Sequence, residues 1–199
     1  MKFSTFALLA SAVALSACQT NPRKPSETGV RYGDAKGVET TTNEFGSTDL
    51  QVIAENMAKK MLQSPAIANS NTVVRLRIED VRNLTSEPQI DTRMITNRIR
   101  RQLLNSGRVE FVADDAGMKT QIDGLARQNN SGLYDSKTTA RVGKMEAEKY
   151  AVRGSIRSIV KRGANVKDVF YTFELSLTDK QRGVEVWADD QEIRKVSGR

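Results

Sequence analysis

The sequence predicts an α/β (α+β) fold, a mixed sheet with helices packed on it, and three observations carry that prediction. Between residues 72 and 113 a strand-like run, a helical run and a second strand-like run follow one another, which is the pattern of a βαβ crossover unit. The last third of the chain turns almost wholly strand-like, as an antiparallel meander would. On its middle strand Tyr171, Phe173, Leu175 and Leu177 alternate on one face, as expected when helices cover one side of a sheet.

The elements follow in chain order. Thr48 and Gln51 stand at capping-box spacing, and Leu50, Ile53, Met57 and Met61 recur every three or four residues. An amphipathic helix is therefore expected to run to about Gln63, ahead of Pro65, with its methionines in the core. From Thr72 to Val81, Val74, Leu76 and Ile78 face one way and Arg75, Arg77 and Glu79 the other, the period of a half-buried strand. A polar loop, Asn83 to Glu87, precedes Pro88. Asp91 can then cap a second helix carrying Ile95, Ile99 and Leu103, with Met94 and Leu104 beside them and Gly107 as the stop. Arg93, Arg98, Arg100 and Arg101 make the other face of that helix basic.

Arg108 to Ala113 reads as a short strand, parallel to the first through a right-handed crossover. Asp114 or Asp115 can cap a third helix with Met118, Ile122 and Leu125, followed by the loop Asn129 to Ser136 and a shorter helix around Thr139 to Glu148. Gly124 and Gly143 weaken both helices. Tyr150 to Val160, Val166 to Thr178 and Val184 to Trp187 are the meander strands, with turns at Gly163 and Gly183. From Ala188 the tail is too charged to assign.

Ahead of this domain, Lys2 and the apolar run Phe3 to Leu15 form an export signal. At 13 residues the run is shorter than the roughly 20 needed to span a bilayer. It ends in Leu15-Ser16-Ala17-Cys18, which resembles the lipobox of bacterial lipoproteins. That resemblance implies cleavage between Ala17 and Cys18, an S-diacylglycerol and an N-acyl (palmitate-type) chain on Cys18 and, with Gln19 where an aspartate would retain the protein in the inner membrane, sorting to the outer membrane. The plainer reading is a soluble exported protein cut nearby, with Cys18 incidental. Residues 19 to 46 hold Pro22, Pro25 and four glycines among polar residues, so the organisation read is signal peptide 1–17, lipidated tether 18–46 and globular domain 47–199. The 28 tether residues could stretch to roughly 95 Å but average only about 30 Å as a flexible chain.

Composition removes most chemistry. Losing Lys2 with the signal leaves 30 basic and 24 acidic residues, a net charge of +6. These charges are interspersed and aromatics are few, which argues against nucleic acid and for an anionic lipid surface, a cell-wall polymer or an acidic protein patch. The chain has no histidine, so Ser-His-Asp and Cys-His arrangements are excluded, and its single cysteine can form no intramolecular disulfide. No phosphate loop or dinucleotide fingerprint occurs. The paired acids Glu79-Asp80, Asp114-Asp115 and Asp189-Asp190 could divide acid and base roles, but neighbours on a strand point to opposite faces, and strand ends or helix caps account for all three. No catalytic residue, metal ligand, cofactor or small-molecule substrate is expected. Asn129-Asn130-Ser131-Gly132-Leu133-Tyr134 is either a recognition loop or a connection with Tyr134 folded onto the domain.

With the elements placed, residues 45 to 199 resemble the penicillin-binding protein activator LpoB family. The resemblance runs through Phe45, Lys60-Met61-Leu62, Val74 to Val81 leading into Arg82-Asn83-Leu84-Thr85, Leu103 to Val112, Tyr150-Ala151-Val152-Arg153-Gly154-Ser155-Ile156, Glu174 to Leu177 and Val186-Trp187. It implies a domain like the amino-terminal domain of TolB, in a monomeric outer-membrane lipoprotein on the periplasmic side. Such a protein would bind the periplasmic regulatory domain of a class A penicillin-binding protein and activate peptidoglycan synthesis. Members of the family can have a much longer, proline-rich tether than this one. The alternative is a structural, assembly or secretion lipoprotein of the curli-secretion kind, which would form large rings. No partner-binding residue is assigned by these motifs.

Overall fold

A computed structural model describes residues 33–39, 41–140 and 143–198. The signal peptide, the Ala17-Cys18 junction, Cys18 itself and the tether as far as residue 32 lie outside the described residues. Residues 33–37 form a small turn closed by the Gly37 N–H donating to the Asp34 carbonyl at 3.1 Å. Everything from Val38 onward belongs to a second unit.

In that unit α1 (Ser47–Gln63) buries Ile53, Ala54, Met57, Ala58 and Met61, the stripe its spacing predicts. Its N-terminal cap is not the predicted Thr48 with Gln51. Gly46 takes the cap position, and the Asp49 carboxylate, three residues on, receives the Gly46 N–H at 2.8 Å. Gly46 has no side chain to accept from the free N–H groups of the first turn, so Glu39 does it instead. Its carboxylate accepts from the Thr48 N–H at 3.2 Å and the Ser47 hydroxyl at 2.9 Å. A Cβ on Gly46 would lie 1.7 Å from that carboxylate, so a side chain here would push Glu39 off the cap. A short α2 (Pro65–Ala68), not expected from the sequence, follows with proline at its first position.

The crossover unit forms as read. Strand β1 (Val74–Leu84) leads through α3 (Thr92–Asn105) to β2 (Val109–Phe111), and β1 pairs β2 in parallel with Val74 opposite Val109. The Asp91 carboxylate caps α3 by accepting the Arg93 N–H at 2.8 Å. Gly107 ends the turn beyond it in the left-handed region, φ +69°. Strand β1 runs through Leu84, so the first residues of the predicted Asn83–Glu87 loop are still strand. Next, α4 (Asp115–Asn130) is capped by Asp114, which accepts the Gly117 N–H at 2.8 Å. It extends past the predicted loop start at Asn129, and none of its residues is buried. The helix expected around Thr139 to Glu148 is absent from its described residues. Gly143 is left-handed there (φ +79°), and the segment runs extended along β1, with the Arg75 guanidinium donating to the Ala147 carbonyl at 3.1 Å and the Lys149 N–H to the Arg75 carbonyl at 2.9 Å.

Strands β3 (Tyr150–Arg162), β4 (Val166–Asp179) and β5 (Val184–Gly198) complete a five-stranded mixed sheet of order β2-β1-β3-β4-β5. Strand β3 is parallel to β1, and β3, β4 and β5 form the expected antiparallel meander. Every second residue of β4 from Val169 to Leu177 is buried, beneath α1 and α3. Gly154 of β3 stands opposite Leu175, and a Cβ there would meet the Glu174 carbonyl oxygen at 2.1 Å. The charged tail from Ala188 is regular strand: β5 pairs β4 to the end of the described chain, Val166 facing Gly198.

The segment before α1 is bolted to this core. The Asn43 amide donates to the carbonyls of Lys167 (3.0 Å) and Lys195 (3.3 Å), and the Phe45 N–H to Glu87 at 3.1 Å. The Phe45 ring meets Tyr171 edge-on at 5.8 Å. The buried Tyr171 hydroxyl reaches both the Asn43 carbonyl, at 2.9 Å, and the Glu87 carboxylate, and burial above all pushes its pKa well above that of a free phenol. Lys195 of β5 donates to the Glu44 carbonyl at 2.6 Å and pairs with Asp49, both side chains being almost wholly enclosed.

Candidate docking face

Alternation along the strands sends Arg153, Arg157, Glu174, Ser176 and Asp190 onto the sheet face opposite α1 and α3, which α4 meets at β1 through the pair of Asp115 with Arg77. The regular register breaks twice, once between β4 and β5 at Leu177 and Thr178 and once in β1. The register of β1 against β3 shifts between Ile78 and Asp80, a β-bulge, and both Glu79 and Asp80 are exposed there. The sequence expectation that these two carboxylates point to opposite faces is therefore corrected: the extra residue in β1 turns both toward the open side.

The bulge places Glu79 at the centre of an ion network. Its carboxylate accepts from the Arg153 guanidinium at 2.7 Å and the Lys180 ammonium at 2.8 Å. Those hydrogen bonds, the one from Lys180 foremost, hold its pKa below the usual carboxylate range. Asp80 pairs with Arg82 at 3.3 Å and Arg157 with Glu174 at 3.2 Å. Asp80, Arg82, Arg153, Arg157 and Glu174 line a shallow groove of about 550 Å³, with the Glu79 network beside it. At the far end of the face Arg194 grips Asp168 at 2.6 and 3.1 Å and lowers the Asp168 pKa, and Ile159 and Val196 stand about 60 % exposed beside that pair.

The other acidic pairs are accounted for structurally. Asp114 caps α4 and Asp115 is bound by Arg77. Asp189 is held by Lys60 at 2.7 Å, which depresses its pKa, while Asp190 lies on the groove. Glu79, Asp168 and Asp189 are thus held as paired anions, a poor basis for a general acid. Among the described residues no group of three or more acidic residues or cysteines is arranged to hold a metal ion, and no helix is long and apolar enough to cross a membrane. A wide, shallow and doubly charged face of this kind matches a macromolecular surface better than an enclosed small-molecule pocket.

In the 129–134 segment Tyr134 is 57 % and Leu133 84 % exposed, so Tyr134 is not folded onto the domain. Sequence motifs assign none of the open-face residues. The available signal was the alternation of polar or charged residues with small or apolar ones in Arg153 to Arg157 and Thr172 to Ser176.

Comparison with known proteins gives a consistent picture. The family model described as peptidoglycan-synthase activator LpoB matches residues 49–193. Among solved structures, the LpoB C-terminal domain from Salmonella enterica aligns at 20% identity over 74% of this chain and 99% of that one, with a TM-score of 0.42. The LpoB C-terminal domain from Escherichia coli aligns at 18% identity over 74% and 99%, TM-score 0.44. Lipoprotein GNA1162 from Neisseria meningitidis aligns at 12% identity over 62% and 84%, TM-score 0.38. A search of curated proteins finds no match.

Proposed function

The chain belongs to the peptidoglycan-synthase activator LpoB family, whose members are regulators and not enzymes, and from that premise we propose that it is an outer-membrane lipoprotein that activates a class A penicillin-binding protein. The observation that carries the proposal is the extent of the match, which runs from the first turn of α1 to Ile193 in β5 and so takes in nearly the whole folded unit. In this reading the chain is cut between Ala17 and Cys18, and Cys18 carries the S-diacylglycerol and N-acyl anchor. More than one acyl chain on that sulfur and amine makes a durable anchor, since one alone binds reversibly.

The activator works as a monomer and without chemistry of its own. It docks through the open sheet face on the synthase's periplasmic regulatory domain and binds the active state of that enzyme more tightly than the inactive one. A hundredfold preference corresponds to about 2.7 kcal/mol of coupling, within the ordinary range of allosteric effects. Glu39 already caps α1 and Asn43 is bonded to β4 and β5, so at most the 20 residues from 19 to 38 separate Cys18 from the folded unit, about 70 Å when stretched. Added to a domain roughly 40 Å across, that length reaches an inner-membrane partner only when the tether is extended.

The test uses the processed protein in detergent with its own organism's class A synthase. Glycan polymerisation and peptide crosslinking by the synthase should both rise, while the activator alone turns over no cell-wall fragments. No binding and no stimulation at tens of micromolar would contradict the proposal. Mass spectrometry of the processed protein should find an acylated Cys18 as the first residue.

A further inference from the structure

Helix α3 carries four arginines and no acidic residue in its 14 positions. At about 100° per residue, Arg93, Met94, Asn97, Arg101 and Leu104 fall within one arc of roughly 100°. All five are exposed, Met94 at 59 % and Leu104 at 42 %. Arg98 and Arg100 flank that arc, while Ile95, Ile99 and Leu103 are buried on the opposite side. Among the described residues the only carboxylate within 4 Å of these guanidinium groups is Glu55, 3.9 Å from Arg98, while Asp91 caps the helix start beside Arg93. Arg100 lies over the Phe111 ring at 5.1 Å, so its stem is packed and its charge remains available.

We propose that this outer face of α3 docks on an anionic phospholipid leaflet. Three features fit that occupant. The face is uniformly cationic, so it complements a negative surface and repels a cationic one. Two flexible apolar side chains, Met94 and Leu104, are interleaved with long arginine stems, the composition of a helix that lies in a membrane interface. The face is also on the helix layer, opposite the open side of the sheet, so a domain docked this way presents Arg153, Arg157 and Glu174 to the periplasm. Which leaflet is met rests on the lipid-anchor reading; the affinity of α3 for anionic lipid does not.

The experiment therefore uses the processed-length chain with Cys18→Ser, which cannot be acylated, titrated with vesicles of phosphatidylcholine alone or mixed in equal parts with phosphatidylglycerol. Binding is expected only to the anionic vesicles and should weaken steeply with added salt. Each cation at an anionic surface strengthens binding about fivefold, so Arg93→Gln with Arg101→Gln should weaken it about 25-fold. Arg153→Gln with Arg157→Gln on the open face should leave vesicle binding unchanged. Circular dichroism melting confirms that each variant is folded, as expected for exposed positions. Equal binding to both vesicle types, or equal loss from the open-face variant, would overturn the proposal. So would absence of vesicle binding in a protein that still stimulates the synthase but loses stimulation through the α3 variant, a result that would assign α3 to the protein partner.

Discussion

The two faces of one sheet differ in almost every property that a substitution can probe. On the covered face Tyr171, Phe173, Leu175 and Leu177 of β4 are buried against helices, and the few polar groups there, Asp49 with Lys195 and Tyr171 with Glu87 and Asn43, are fully engaged. On the open face Thr172, Glu174 and Ser176 stand between them and partly meet solvent, and Glu174 pairs with Arg157, as Asp168 farther along β4 does with Arg194. In the proposed function, the difference means that the same strand serves stability through its odd positions and recognition through its even ones. Effects on folding and on binding should therefore separate cleanly by face.

The largest expected effect breaks that comparison on the covered side. Phe173→Ala removes a wholly buried ring and should cost about 3–5 kcal/mol, read as a fall in the denaturant midpoint at unchanged slope. Gly154→Ala drives a methyl into the Glu174 carbonyl and the Leu175 side chain, and should cost about 1–3 kcal/mol in the same assay. Tyr171→Phe leaves the Asn43 carbonyl and the Glu87 carboxylate without their shared donor. A loss of about 1–3 kcal/mol is expected, with faster amide exchange at Phe45 as the strap loosens.

On the open side the expected stability changes are small. Arg157→Ala and Glu174→Ala break a pair whose side chains are about half exposed, so each should cost less than about 1 kcal/mol while weakening the synthase interaction. The pH dependence sharpens the contrast further. Glu79, Asp168 and Asp189 all have carboxyl groups held below their ordinary pKa, so the unfolded chain binds more protons than the native one as acid is added. Their contribution is present above the unfolded value, near pH 4, and is lost as pH falls through the lower folded values. The thermal midpoint should drop over that window, and Glu79→Gln should flatten the drop.

Where local pattern and tertiary packing agree, the fold was legible before the structure. The Ile53, Met57 and Met61 stripe, the Asp91 and Asp114 caps and the alternation of β4 each depend on residues close in the chain, and each appears as expected. What was illegible depends on partners distant in sequence. From Ala188 onward β5 reads as charged tail because Asp189, Arg194 and Lys195 find their ion-pair partners, Lys60, Asp168 and Asp49, on other elements. Charges of this kind also protect an edge strand from pairing with other chains. The helix expected at 139–148 loses to Gly143 and to bonds with Arg75, and α4 shows its apolar spacing without burying any residue. The candidate face has no linear motif at all, since Glu79, Arg153 and Lys180 meet only through a bulge in β1, strand β3 and the turn after β4.

The most direct test is a binding titration of the purified class A synthase against three folded proteins: the native chain, an open-face variant with Arg153→Glu and Arg157→Glu, and an α3 variant with Arg93→Gln and Arg101→Gln. Two sheet faces with separate duties predict that the open-face variant loses synthase binding while keeping its melting temperature, and that the α3 variant binds as the native chain does. Full synthase affinity in the open-face variant would contradict the account.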